Sequence, residues 1–164
     1  MKSSFHRQIL HEIKKHSGKP TRHTFLKKYL GNDHPTYAIS SPVVRMIARD
    51  WMKNHRDASV KDFTTLLTDL IQGESFTEKY MAGIFLDYAT AGLRKFPPSL
   101  FDKWLNSLEG WAEVDALCTN NYSRFGLTDQ WDKWKPLLTK FSKSKNINKR
   151  RAALVLFCAP LGKT

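Results

Sequence analysis

The sequence predicts an all-α protein, and more narrowly an α-solenoid, on three observations. Apolar residues recur at helical spacing along almost the whole chain. No stretch shows the sustained alternation of a half-buried strand. Breaker residues cut the pattern into short segments that can pair as helical hairpins.

Taken in order, a first helix is predicted near 3–16, closed by SGKPT at 17–21, which opens a second near 21–30. Pro42 follows two serines, so a third helix is expected near 42–54 with Ser41 as its N-cap. Its Val44, Ile47, Ala48 and Trp51 fall at i, i+3, i+4 and i+7. HRDAS at 55–59 ends it, and Ser59 caps a helix near 60–72 with a stripe of Phe63, Leu66, Leu67, Leu70 and Ile71. GES at 73–75 precedes a helix near 76–93, in which Tyr80, Met81, Ile84, Phe85 and Tyr88 repeat the spacing. After the break FPPS at 96–99, helices are expected near 99–108 and 111–124, a turn at Gly126–Thr128, and helices near 129–141 and 147–159. The run AALVLFCAP at 152–160 could be a strand, but it continues KNINKRR and reads as a buried helix.

From Pro42 the helix pairs restart near 76, 111 and 147, slightly closer than the ~40 residues of a HEAT-type unit. The expected architecture is a single HEAT-like domain over 1–164, with a compact helical bundle as the competing arrangement.

Lys and Arg number 27 against 15 Asp and Glu, a formal charge of +12, and the pI is near 9.8. That excess points to an anionic partner, most simply nucleic-acid phosphate. A membrane surface fits less well, because the basic residues are scattered and flank no long apolar segment. Cys118 and Cys158 form neither a metal spacing nor a disulfide framework, which suits a reducing compartment. The first residues carry no apolar run of signal-peptide length, and the expected location is the cytosol, at the nucleoid when acting. There is no Gly-rich phosphate loop, no HExxH and no Cys/His ligand cluster, so no metal or cofactor is expected. The six histidines lie mostly in polar surroundings and are expected at the surface.

Three constellations remain. In LEGWAEVDA at 108–116, Trp111 and Asp115 are one helical turn apart and share a face, while Glu113 between them points elsewhere. Pattern alone is equally compatible with Trp111 as a core residue, and by residue type most helical aspartates are merely solvated. Yet Ala112, Val114, Ala116 and Leu117 make the surroundings apolar, and a carboxylate there wants a partner. In KSKNINKRRAALVLF at 143–157, Lys149, Arg150 and Arg151 open an apolar helix, and the two arginines point about 100° apart. One guanidinium can grip a phosphate while the other braces the local structure. In YLGNDHPTYAISSPVVRMIARDW, Arg45 and Arg49 share a helix face, with Tyr29 and Tyr37 nearby. Arginine with interleaved aromatics suits contact with a nucleic-acid backbone and its bases.

These blocks, YAISSPVVRMIARDW, SFTEKYMAGIFLDYA, GWAEVDAL and NINKRRAALVLF, occur in one order over most of the chain. In that order and spacing the sequence resembles the AlkD-like DNA alkylation repair glycosylases, which are built of HEAT-like repeats. The resemblance implies excision of positively charged N3- and N7-alkylated purines from duplex DNA, by a monomer, without flipping the base. It places the active-site tryptophan on Trp111, the essential aspartate on Asp115, the key arginine on Arg151 and a cleft tyrosine on Tyr29. Arg45, Arg49, Lys149 and Arg150 are then candidate DNA contacts. Two departures stand out: Asn148 occupies a position usually aromatic, and the family's second active-site tryptophan, on later helices, has no counterpart within 1–164. The alternatives are a non-catalytic repeat module that binds damaged or branched DNA, and a protein-interaction solenoid for an acidic partner.

Overall fold

The computed structural model describes residues 2–20 and 27–162. Among them the secondary structure is helical throughout, with no strand: α1 (Ser4–Lys15), α2 (Lys27–Leu30), α3 (Ser41–Asn54), α4 (Val60–Ile71), α5 (Phe76–Tyr88), α6 (Leu100–Trp104) with a 3-10 turn (Leu105–Ser107), α7 (Gly110–Cys118), α8 (Asn121–Asp129), α9 (Trp131–Ser142), α10 (Ile147–Val155) and α11 (Cys158–Leu161). No described helix is long and apolar enough to cross a membrane.

The helices pack as an α-solenoid. One row runs α3, α5, α7, α10, each against the next. Behind it α4 packs on α5 and α9 on α10, while α1 lies against α3 and α4. The predicted stripes face this interior: Val44, Ile47, Ala48 and Trp51 of α3, and Phe63, Leu66, Leu67, Leu70 and Ile71 of α4, are all buried. Farther along, Tyr122 stacks between Phe96 (4.4 Å between centroids) and Phe101 (5.5 Å), and Trp134 meets Phe101 edge-on.

Side-chain caps set several starts. Ser59 and Ser75 each bond the amide three residues on, and Asp62 and Glu78 reach back to complete the box. Serine at 41 is already helical, and the N-cap is Ser40.

Several boundaries differ from expectation. Of the helix predicted at 21–30, only 27–30 falls within the described residues. The helix expected to reach 93 stops at Tyr88, where Ala89 turns extended and the Thr90 hydroxyl takes the Leu93 amide. The helix expected over 111–124 is broken. The Thr119 hydroxyl bonds the Asp115 carbonyl, and Asn120 turns extended to cap α8 through the Ser123 amide. Gly126, read as a turn, lies inside α8. The last predicted helix divides at Leu156–Phe157 and is only partly buried, for Leu154 stays 74% exposed.

The histidines also depart from expectation. His6 is buried, with Nε2 2.8 Å from Glu78, and His34 places Nδ1 2.7 Å from the buried Glu113.

Candidate active site

The site begins with two glycines. Gly31 and Gly110 have φ of +72° and +69°, the left-handed region that other residues rarely adopt. They also touch: a Cβ on Gly110 would lie 2.1 Å from the Gly31 carbonyl oxygen. The end of α2 can therefore lie directly on the start of α7. That contact lets the Trp111 indole N–H donate to the Tyr29 carbonyl at 2.7 Å. The Tyr29 ring meets the indole edge-on, 5.6 Å between centroids, and both rings remain open to solvent.

One turn along α7, Asp115 meets Arg151 of α10. Nε donates to Oδ1 at 2.6 Å and Nη2 to Oδ2 at 2.7 Å, a two-point pair. The Asp115 carboxylate holds Arg151 above the ordinary guanidinium value. Neither partner is buried: the side chains are 28% and 40% exposed. The guanidinium carbon also lies 6.0 Å from the Trp111 ring centre.

The third wall comes from α5. A Cβ on Gly83 would fall 2.1 Å from the Ala116 carbonyl oxygen, so glycine permits the close approach of α5 to α7. Between these elements runs a groove of about 360 Å³ lined by Leu30, Arg45, Tyr80, Asp87, Trp111 and Asp115, among others. Arg45 reaches Asp87 at 3.4 Å, and Tyr88 and then Asp87 hold its guanidinium above the ordinary value. Asp87 also accepts the Asn121 amide at 3.0 Å, which fixes the start of α8 to the groove wall.

The structure thus puts Trp111, Asp115 and Arg45 on one groove, with Arg151 held against it through Asp115 and Tyr29 through Trp111. The other predicted contacts lie elsewhere. Arg49 is exposed on α3 and does not line the groove. Lys149 pairs with Asp102 at 2.7 Å, an oxygen set it shares with Lys140. Arg150 donates to the Ser144 and Lys145 carbonyls and so braces the loop before its own helix. Asn148, at the usually aromatic position, donates to the Leu108 carbonyl at 2.6 Å and ties α10 to the approach of α7.

Sequence reasoning missed Glu113, His34 and Asp87 as parts of the site. Glu113 points away from Asp115, as its position demands, but it is wholly buried. It accepts the Glu109 amide at 2.7 Å and meets His34 on the segment that follows Tyr29. Burial pushes its carboxyl above the usual range, against the lowering effect of the Glu109 amide and His34. The signal was present: an acidic residue in the first turn of a mostly apolar helix, where free amides need an acceptor. His34 gives no such signal, because its partner lies 79 residues away in sequence.

Among the described residues no cluster of His, Cys, Asp or Glu could hold a metal ion. A strongly basic helical stack, with an aromatic ring, a carboxylate and a guanidinium meeting in an open groove, has the makings of a nucleic-acid-processing protein. More specifically, the chain belongs to the DNA alkylation repair enzyme family, whose model matches residues 9–164. Neither a curated protein nor a solved structure matches it. Family membership gives the chain a role in DNA alkylation repair and makes DNA its partner.

Proposed function

We propose that the chain is a monofunctional DNA glycosylase that releases positively charged N3- and N7-alkylated purines from duplex DNA without extruding the base. The observation that carries this reading is that Trp111 and Asp115 line one solvent-open groove and that Arg151 pairs with Asp115 beside the Trp111 ring. On this reading the helix pairs are HEAT-like repeats.

The chemistry asks little of the protein. Alkylation leaves the purine cationic, so the C1′–N bond breaks with its electron pair passing to the base, which departs neutral. No acid is needed to protonate the leaving group. The sugar becomes oxocarbenium-like, water adds at C1′, and the water's proton passes to a base or to solvent. On this reading Asp115 stabilises the sugar cation and receives or orients that water. The open Trp111 ring offers its π face to the same cation, a contact of ~0.5–2 kcal/mol.

Arg151 has a double use. A guanidinium carries five N–H donors, and Asp115 engages two of them. The rest can hold a flanking phosphate while the carboxylate stays oriented. The pairing keeps an anion tolerable in a protein of +12 that must lie against phosphates.

The test is Asp115→Asn, assayed as free 7-methylguanine released from methylated duplex. Loss of one preorganised group of this kind costs about 3–4 kcal/mol, so release should drop at least ~100-fold. Wild-type release by that variant would sink the assignment. One observation favours a second reading: both oxygens of Asp115 bond Arg151, as in a binding module with no catalysis. Salt-dependent binding of methylated duplex without any base release would select that module.

A further inference from the structure

Away from the groove, two guanidiniums converge on one exposed ring. Arg94 lies 4.6 Å and Arg124 5.6 Å from the centre of Phe125, which is 40% exposed. Arg94 is steadied by donating to the Ala89 carbonyl at 2.8 Å. Among the described residues neither guanidinium pairs with a carboxylate. Two like charges on one ring repel each other unless an anion sits between or beside them. Beside them is a cavity of about 430 Å³ to which Arg94, Lys95 and Lys133 bring three cations and Asp129 one anion.

α8 links the cluster to the groove. On α8, Asn121, Arg124, Phe125 and Thr128 form one face at i, i+3, i+4 and i+7, opposite the buried Tyr122, Ser123, Gly126 and Leu127. Asn121, at the head of that face, is the residue bonded to the groove-lining Asp87. Phe125 lies about 6 Å farther along the axis, the rise of roughly two nucleotides of one strand.

We propose that Arg94 and Arg124, set on the Phe125 ring, form a second DNA-backbone contact that takes the phosphates flanking the lesion strand. This rests on the DNA-processing reading of the groove. The Phe125 ring seats both guanidiniums, and the phosphates add to the single anion that Asp129 brings to the adjoining cavity. The contact is independent of sequence and lesion, so it contributes affinity and register rather than chemistry.

The experiment is binding of an undamaged labelled duplex to the full chain between ~50 and ~200 mM salt. Each phosphate contact contributes ~0.9 to the slope of log K against log salt. Arg94→Gln with Arg124→Gln should flatten the slope by about 2 and weaken binding roughly tenfold at mid-range salt. Lys14→Gln with Lys53→Gln, the same charge removed from exposed positions on α1 and α3, should leave the slope as in wild type. Arg124→Gln alone, and Phe125→Leu, which keeps apolar bulk without the π face, should each give part of the effect. They remain informative if loss of the Arg94 brace lowers the unfolding temperature. Equal slopes for the two double variants, or a wild-type slope for Arg94→Gln with Arg124→Gln, would overturn the contact and leave the groove chemistry standing. A wild-type chain that binds no duplex at ~50 mM salt would overturn both.

Discussion

Two carboxylates on α7, Glu113 and Asp115, stand two residues apart and serve opposite sides of one helix. Glu113 faces inward, is wholly buried, and holds the helix's own start and His34. Asp115 faces the groove, is partly exposed, and shares its oxygens with one guanidinium. A buried ion pair tolerates no loss of a partner, because the remaining group keeps its desolvation cost. An open one can exchange its partner for water or ligand. The inward pair therefore builds the frame, and the outward pair is free to act.

This contrast predicts opposite outcomes for matched truncations. Glu113→Ala should lower folding stability by about 3 kcal/mol, toward the low end for a broken buried pair because His34 keeps some access to water. Asp115→Ala should cost no more than about 1 kcal/mol while carrying the loss of base release. Urea denaturation of the two variants measures the difference. Equal stabilities would erase the distinction between the two sides of α7.

Acid sharpens the contrast among the buried carboxylates. Burial pushes the Glu78 carboxyl up, but His6 and Ser75 outweigh it and leave the group below the ordinary value of 4.5. Its contribution is present above pH 4.5 and is lost as pH falls through the depressed value. Glu113 is raised above 4.5, so its contribution is complete below that pH and is lost as pH rises through the raised value. Glu78→Gln should flatten the acid limb of the stability profile, and Glu113→Gln should remove a decline that starts near 4.5. Urea midpoints across pH ~3 to ~7 read both. Unchanged profiles would show that neither group titrates between the folded and unfolded chain.

Much of this was legible in the sequence, and for identifiable reasons. The stripes of α3 and α4 and the Ser59 cap are local signals, and local signals survive folding. Trp111 and Asp115 lie one turn apart on a single helix, so their shared face follows from the period. That the arginine meeting them is Arg151 came from resemblance, since periodicity cannot bring together residues 36 apart. The break at Asn120 was hidden because asparagine can cap a helix or sit inside one, and the backbone decides which. The burial of His6 and the half-burial of His34 were illegible, because a histidine in polar sequence turns inward only when a distant carboxylate receives it.

The smallest expected effect probes the seam that joins the two sides of α7. The stretch from Tyr29 to His34 is held twice: by His34 to the buried Glu113, and by the Tyr29 carbonyl to the Trp111 indole N–H. Trp111→Phe keeps an aromatic face toward the groove and removes only the second bond. A bond of this kind contributes about 1 kcal/mol, and less where water competes. Folding stability should therefore fall by at most ~1 kcal/mol, with base release reduced only severalfold. Amide exchange from Leu30 to His34 should quicken, because the segment keeps its anchor on Glu113 and loses the one beside the groove. If exchange there were unchanged while base release collapsed, the indole N–H would be acting on the substrate and not on Tyr29. The seam would then belong to the chemistry of Asp115 rather than to the frame of Glu113.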